Sequence, residues 1–259
     1  MNKREKICIA VMGAAAALFF VYEFFFATPP TDTQTVSVMA DMTVTRLLGG
    51  IVFLAVIVYL EIPILRPFRR PFWHTVWVTL PFWIVALNNL PFLSLLRGDA
   101  YLDAPAWMYV LLAAQYFAVA LFEECAFRGV LLPLLLQRKP DSPRHTVRCL
   151  LLSSLIFGLI HAVNLFYGAA PGAVLLQMGY SFLIGGMCGI AMLLSGDIWM
   201  AVGLHMVYDI CGQMVPTLGG GKIWTLPTVI LTAAVGTAVT VYALYLLTHA
   251  EKMTLRRDV

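Results

Sequence analysis

The chain of 259 residues is 61% hydrophobic and only 12% charged, against roughly 45–50% and about 25% in soluble globular domains. Its 17 lysines and arginines stand against 14 aspartates and glutamates, a balance too even for a basic nucleic-acid-binding domain. The composition therefore excludes intrinsic disorder and a soluble fold, and it predicts an all-α polytopic membrane protein.

An α-helix needs about 20 consecutive apolar residues to cross a bilayer. By this criterion the sequence predicts eight spans, at 7–27, 44–62, 74–95, 105–127, 148–167, 172–194, 198–214 and 226–248. The first span follows a basic segment, as in a signal peptide, but its apolar stretch is longer and no A-x-A pattern follows, so we interpret it as an uncleaved anchor. The stretches 28–43 and 137–145 are the longest connections, and nothing resembles an interdomain linker. We expect one integral-membrane domain over 1–259, with a motif-bearing core at about 105–214.

The basic residues orient this bundle. If the N-terminus is cytoplasmic, the 17 lysines and arginines all lie on the cytoplasmic side except Arg46, Arg97 and Lys222. Cytoplasmic loops carry the excess of positive charge in membrane proteins. An even number of spans then leaves both termini in the cytoplasm, and we expect a multi-pass protein of the cell membrane.

Small and amide residues in the spans are interpreted as packing features. Gly185, Gly186 and Gly189 form a small-residue face in the sixth span, and Asn88 and Asn89 are placed to hydrogen-bond between helices. The five cysteines form no C-x-x-C pair, so we interpret them as buried apolar residues.

Ionisable residues at membrane depth are costly and are therefore functional candidates. The first cluster is the E-E-x-x-x-R sequence that ends the fourth span. Glu124 and Arg128 are four residues apart and can meet on a helix, whereas Glu123 points about 100° away and is left for chemistry. The alternative is that both glutamates are solvated in the headgroup region.

Two further clusters lie on later spans. His161 follows Phe157 by four residues in the fifth span, and Asn164 lies a turn further on. His205 and Asp209 are also four residues apart and share a face of the seventh span. A single histidine on an apolar helix is more often a hydrogen-bonded packing residue than a catalytic one.

Charged groups on three separate helices are best explained if they meet in one water-accessible cavity. Such a cavity can bind a divalent metal, relay protons or activate water for hydrolysis. The residues alone leave these three chemistries open.

The ordered set E-E-x-x-x-R, F-x-x-x-H and H-x-x-x-N/D resembles the CAAX-protease and bacteriocin-processing family of intramembrane endopeptidases, and in particular the type II CAAX prenyl endopeptidases. The matching residues here are Glu123, Glu124, Arg128, Phe157, His161, His205 and Asp209. The resemblance implies a helical membrane fold whose site lies towards the cytoplasmic side. It also implies that Glu124 and Arg128 form a supporting ion pair.

The resemblance implies peptide-bond hydrolysis by activated water. Glu123 would polarise the water with help from His161, and His205 and Asp209 would stabilise the oxyanion of the tetrahedral intermediate. Phe157 and Asn164 would support the site. The substrate would be a membrane-associated peptide or protein, with prenylated C-termini, bacteriocin leaders and other membrane peptides all compatible.

Cofactor use and two competing functions remain open at this point. Glu123, His161 and His205 could hold zinc, but the H-E-x-x-H spacing of common zinc peptidases is absent, so we favour a mechanism without metal. A non-catalytic scaffold or immunity protein could keep the same polar cavity. A proton-coupled transporter could use the same groups as a relay, although such proteins more often show repeats in both halves of the chain.

Overall fold

The computed structural model describes residues 36–65, 71–136 and 142–249, together with isolated positions among the first 22. The first predicted span, at 7–27, therefore lies largely outside the described residues, as do the basic segments 66–70 and 250–259. The described part is helical apart from one short β-ribbon, which the sequence analysis did not predict. Its elements are α1 Val36–Tyr59, α2 Phe72–Asn88, α3 Phe92–Leu96, β1 Ala100–Leu102, α4 Ala106–Glu124, a π-helix Cys125–Leu131, α5 Leu132–Leu136, α6 Pro143–Ile160, a 3-10 helix His161–Leu165, α7 Pro171–Ser195, α8 Trp199–Leu218, β2 Gly219–Gly221 and α9 Leu226–Thr248.

Prolines mark where the helices begin. Proline is tolerated in the first helical turn, where its missing N–H has no intrahelical partner in any case. Pro143 and Pro171 open α6 and α7, and Ser142 caps α6 by accepting a hydrogen bond from the His145 N–H. Gly196 ends α7 with φ +75°, a conformation that favours glycine.

Four described helices are long and apolar enough to cross a bilayer: Val36–Tyr59, Pro143–Leu165, Pro171–Ser195 and Leu226–Thr248. They correspond to the predicted spans at 44–62, 148–167, 172–194 and 226–248. The predicted spans at 74–95, 105–127 and 198–214 are also helical, as α2, α4 and α8. The count of eight spans and the cytoplasmic termini remain predictions.

Three predicted boundaries differ from the structure. The segment 28–43 was expected to be a connection, but α1 already begins at Val36, because the residues before the predicted start are compatible with helix. The fourth span continues without a break through the π-helix and α5 to Leu136. The seventh span, expected to be short, extends to Leu218.

The helices pack around α4, α7 and α8. Helix α4 packs against α1 and α8, while α7 packs against α6 and α8. Outer faces remain apolar and exposed, as in α9, which buries only Thr228 and Val239. Soluble proteins rarely expose apolar surface this extensive, so these faces fit contact with lipid.

The β-ribbon joins the end of α8 to the segment before α4. Strands β1 and β2 are antiparallel, with Ala100 opposite Gly221 and Leu102 opposite Gly219. A Cβ at Gly219 would collide with the Tyr101 carbonyl oxygen, so the close approach of the strands requires glycine there. The ribbon fixes the far end of the helix that carries His205 and Asp209.

Candidate active site

The end of α4 carries two neighbouring glutamates in different environments. Glu124 is fully buried, whereas 23% of the Glu123 side chain is exposed. Adjacent residues on a helix point about 100° apart, so one carboxylate faces the protein interior and its neighbour is accessible. This division agrees with the prediction that only one glutamate pairs with Arg128.

A π-helix follows directly after Glu124. Its wider turn is closed at the Leu132 N–H, which bonds to the Phe127 carbonyl five residues earlier. Pro133 has no N–H to offer the Gly129 carbonyl, so regular α-helical bonding cannot continue through this stretch. Single turns of π-helix are frequent at functional sites. Sequence reasoning missed this feature, and the signal that would have found it is Pro133 within an apolar helical run.

The π-helix holds Arg128 against Glu124. Arg128 Nη1 donates to Glu124 Oε1 over 2.8 Å, and Arg128 is only 1% exposed. The guanidinium Cζ lies 4.4 Å from the ring centroid of Phe157 on α6, a distance that fits a cation–π contact. The predicted ion pair is therefore present and is removed from solvent.

His205 of α8 lies among three carboxyl groups. Its Nδ1 donates to Glu124 Oε1 over 2.7 Å, while its Nε2 lies 3.4 Å from Asp209 Oδ2 and 3.9 Å from Glu123 Oε2. An ionised carboxylate can only accept hydrogen bonds. The arrangement therefore needs a proton either on Nε2 or on one of the two facing carboxyl groups. His205 is the point at which the Arg128–Glu124 pair connects to the accessible carboxylates.

His161 lies where α6 tightens into the 3-10 helix. Its Nδ1 is 2.9 Å from the Phe157 carbonyl oxygen, which can only accept, so Nδ1 carries a proton and Nε2 is the acceptor of the neutral tautomer. The Phe157 ring makes edge-on contacts with both histidines, with centroids 5.3 Å from His161 and 5.8 Å from His205. Phe157 therefore holds both imidazoles and the Arg128 guanidinium against one ring.

The eighth predicted residue, Asn164, makes a different contact. Its Nδ2 donates to Gln177 Oε1 on α7 over 2.7 Å, which links the 3-10 helix to the next span. The sequence predicted only that Asn89 would hydrogen-bond between helices. In the structure its Nδ2 donates to the carbonyl of Tyr208, the residue before Asp209, over 2.9 Å. Asn88 similarly bonds Thr232 of α9 over 3.3 Å.

Among the described residues, no group of three or more His, Cys, Asp or Glu side chains is arranged to hold a metal ion. Nδ1 of His205 is also already engaged by Glu124. The four described cysteines, Cys125, Cys149, Cys188 and Cys211, are buried and without disulfides.

An apolar cavity of about 440 Å³ lies between α2, α6, α7, α8 and α9. None of the clustered side chains lines it, but its wall includes Tyr208, the residue before Asp209, and Ser154, which lies one turn before Phe157 on α6. No sequence pattern signalled this cavity, because its lining is drawn from five helices.

Residues 105–211 match the family model described as Type II CAAX prenyl endopeptidase Rce1-like. This segment is similar to the Rce1-like family. The resemblance found in the motifs is thereby confirmed, and the matched residues contain all of the clustered side chains. The Rce1-like proteins are a family of membrane proteases, and the four apolar helices agree with an integral membrane protein. Neither the curated proteins nor the solved structures give a significant match to the chain.

Proposed function

We propose that the protein is an intramembrane endopeptidase that hydrolyses a membrane-associated peptide with water activated by Glu123 and His161. The observation that carries the proposal is the position of His205. One ring nitrogen is fixed by the buried Glu124, and the other faces Asp209 and the accessible Glu123. A histidine linked to a buried ion pair on one side and to accessible carboxylates on the other is suited to proton transfer at a reacting carbonyl.

Glu123 is the proposed general base. Its carboxylate takes a proton from water as the water oxygen attacks the peptide carbonyl carbon. The same proton then passes to the leaving amine nitrogen as the C–N bond breaks. His161 assists through Nε2, because its Nδ1 proton is committed to the Phe157 carbonyl.

His205 is the proposed oxyanion donor. A proton on Nε2 can be donated to the negatively charged oxygen of the tetrahedral intermediate. Asp209 orients this nitrogen from the next turn of α8, while Glu124 with Arg128 holds Nδ1. An orientation fixed by buried partners needs no rearrangement when charge develops.

We propose that the reaction needs no metal. The carboxyl oxygens closest to His205 face its ring nitrogens. The described residues also offer no cluster of metal ligands. Water activation by a glutamate and a histidine is sufficient general base chemistry.

The apolar cavity supports a substrate with a hydrophobic or lipid-bearing segment. Its lining is almost entirely apolar, and on α8 it includes Tyr208, the residue before Asp209. We propose that a hydrophobic segment held there extends along α8 to the clustered side chains. We also propose a cell-membrane location with both termini cytoplasmic, which reporter fusions at the two ends would test.

The decisive experiment measures cleavage by the purified protein in phospholipid vesicles. The probes are two fluorogenic peptides of identical sequence, one farnesylated on a cysteine near its C-terminus and one unmodified. Glu123→Gln should lower the rate by about 10²–10⁴-fold, the usual contribution of a positioned general base. The control, Asp103→Asn, makes the same change at an exposed site and should leave the rate unchanged.

The outcomes are distinct. Cleavage at the normal rate by Glu123→Gln would refute the assignment of the base. Cleavage of only the farnesylated peptide would assign the cavity to the lipid, whereas equal cleavage of both would leave the lipid without a role in recognition.

A further inference from the structure

Helix α7 carries no acidic or basic residue, yet it touches the ion pair. A Cβ built on Gly185 would lie 2.7 Å from Arg128 Nη2 and 3.0 Å from Phe157 Cδ1. The first distance is too short for any real side chain, and the second is tight. The backbone of Gly185 therefore forms the wall against which the guanidinium rests.

Arg128 has little freedom to move away from that wall. Nη1 is held by Glu124 at 2.8 Å, and the guanidinium Cζ lies over the Phe157 ring. Nη2 is buried and has no hydrogen-bond partner among the described residues. It is thus held by packing alone, and the only groups that can yield to an added methyl are Arg128 and Phe157.

We infer that Gly185 is a positioning residue for the chain of contacts from Arg128 through Glu124 to His205. Any side chain at this position displaces the guanidinium from Phe157, and the displacement passes to Glu124 Oε1 and so to His205 Nδ1. The expected effect of a Gly185 substitution on activity rests on the proposed peptidase function. The expected displacement of Arg128 does not depend on that function.

The neighbouring glycine provides a matched control. A Cβ on Gly186 would meet only Ser154 Oγ, at 3.9 Å, which is ordinary van der Waals contact. Both glycines lie in the middle of α7, so replacement by alanine improves helix propensity equally at the two positions. A difference between Gly185→Ala and Gly186→Ala therefore reports the contact with Arg128 and Phe157.

The test compares both alanine variants in two measurements. The first follows cleavage of the two fluorogenic peptides in vesicles, with kcat, KM and the pH dependence of kcat determined separately. We expect Gly185→Ala to lower kcat at least tenfold and to shift its pH profile, with KM within twofold. Gly186→Ala should keep the wild-type kcat and pH dependence; its KM is not part of the comparison, because Gly186 lines the apolar cavity.

The second measurement is thermal unfolding in detergent, in the wild-type and Arg128→Lys backgrounds. Lysine lacks Nη2 and leaves only the contact with Phe157, so the difference in unfolding temperature between the two alanine variants should become smaller in that background. If Arg128→Lys does not accumulate, Phe157→Leu replaces it, because a smaller side chain there gives the guanidinium room to move.

Equal behaviour of the two alanine variants in unfolding and cleavage would overturn the inference. A lower unfolding temperature for Gly185→Ala that is undiminished in the altered background, without a change in pH profile, would also overturn it in favour of simple helix packing. If the wild-type protein cleaves neither peptide, the proposed function fails and the unfolding comparison alone decides the role of Gly185.

Discussion

Removing either partner of the buried ion pair between Arg128 and Glu124 should destabilise the protein, but loss of Glu124 should cost more than loss of Arg128. Glu124 accepts hydrogen bonds from both Arg128 and His205, whereas Glu124 is the only anionic partner of Arg128 within the described residues. Removing Glu124 leaves a guanidinium unpaired in an apolar interior. Removing Arg128 leaves Glu124 still bonded to His205.

The magnitude follows from this difference. Loss of one partner from a buried pair costs about 3–5 kcal/mol, because the other charge remains buried without compensation. We therefore expect Glu124→Leu to cost about 5 kcal/mol and Arg128→Met about 3 kcal/mol. The double variant leaves no charge unpaired, so its cost should fall below the sum of the two by up to about 3 kcal/mol.

The assay is reversible unfolding in mixed detergent micelles, followed by tryptophan fluorescence. Arg97→Met supplies the control, because Arg97 and Asp99 form a pair whose side chains are 60% and 40% exposed, and such pairs contribute about 0–1 kcal/mol. Equal costs for Glu124→Leu and Arg128→Met, or a double variant whose cost equals the sum, would refute the reasoning.

Four further tests address other parts of the protein. His161→Ala should lower kcat by at least about 10²-fold without altering the unfolding transition, and an unchanged kcat would remove His161 from the mechanism. Exhaustive chelation should leave cleavage unchanged, and activity that is lost and then restored by zinc would contradict the metal-free proposal. Asp209→Asn should retain cleavage, because an amide can still orient His205, while Asp209→Leu should lose it; inactivity of Asp209→Asn would show that the charge itself is needed. Gly129→Ala should destabilise the protein by about 1–3 kcal/mol, because its methyl would collide with Ile57, and denaturation at the wild-type midpoint would argue against that close packing.

The sequence predicted the membrane class and the clustered residues because both depend on local signals. Apolar runs of about 20 residues identify spans, and the cost of charge in lipid makes Glu124, Arg128 and His205 conspicuous. The four-residue spacing of Glu124 and Arg128 was enough to predict their contact. The start of α1 at Val36 was missed, because the polar residues near it resemble a loop.

Other features depend on neighbours distant in the chain. The sequence identified Gly185 and Gly186 as one packing face, but only the structure distinguishes the glycine that touches Arg128 from the one that touches Ser154. The apolar cavity is likewise assembled from five helices, none of which encodes it alone. Helix periodicity also assumes 3.6 residues per turn, so it could not predict the wider turn after Glu124.

That wider turn makes the site sensitive to chain length. The turn after Glu124 is closed by a bond across five residues instead of four, so it already holds one residue more than a regular α-helical turn. One further inserted residue would rotate the two ends of the helix by about 100° relative to each other and separate the glutamates from their partners. We therefore expect this stretch to tolerate no insertion, whereas deleting one residue of the wide turn would return it to regular helix without that rotation.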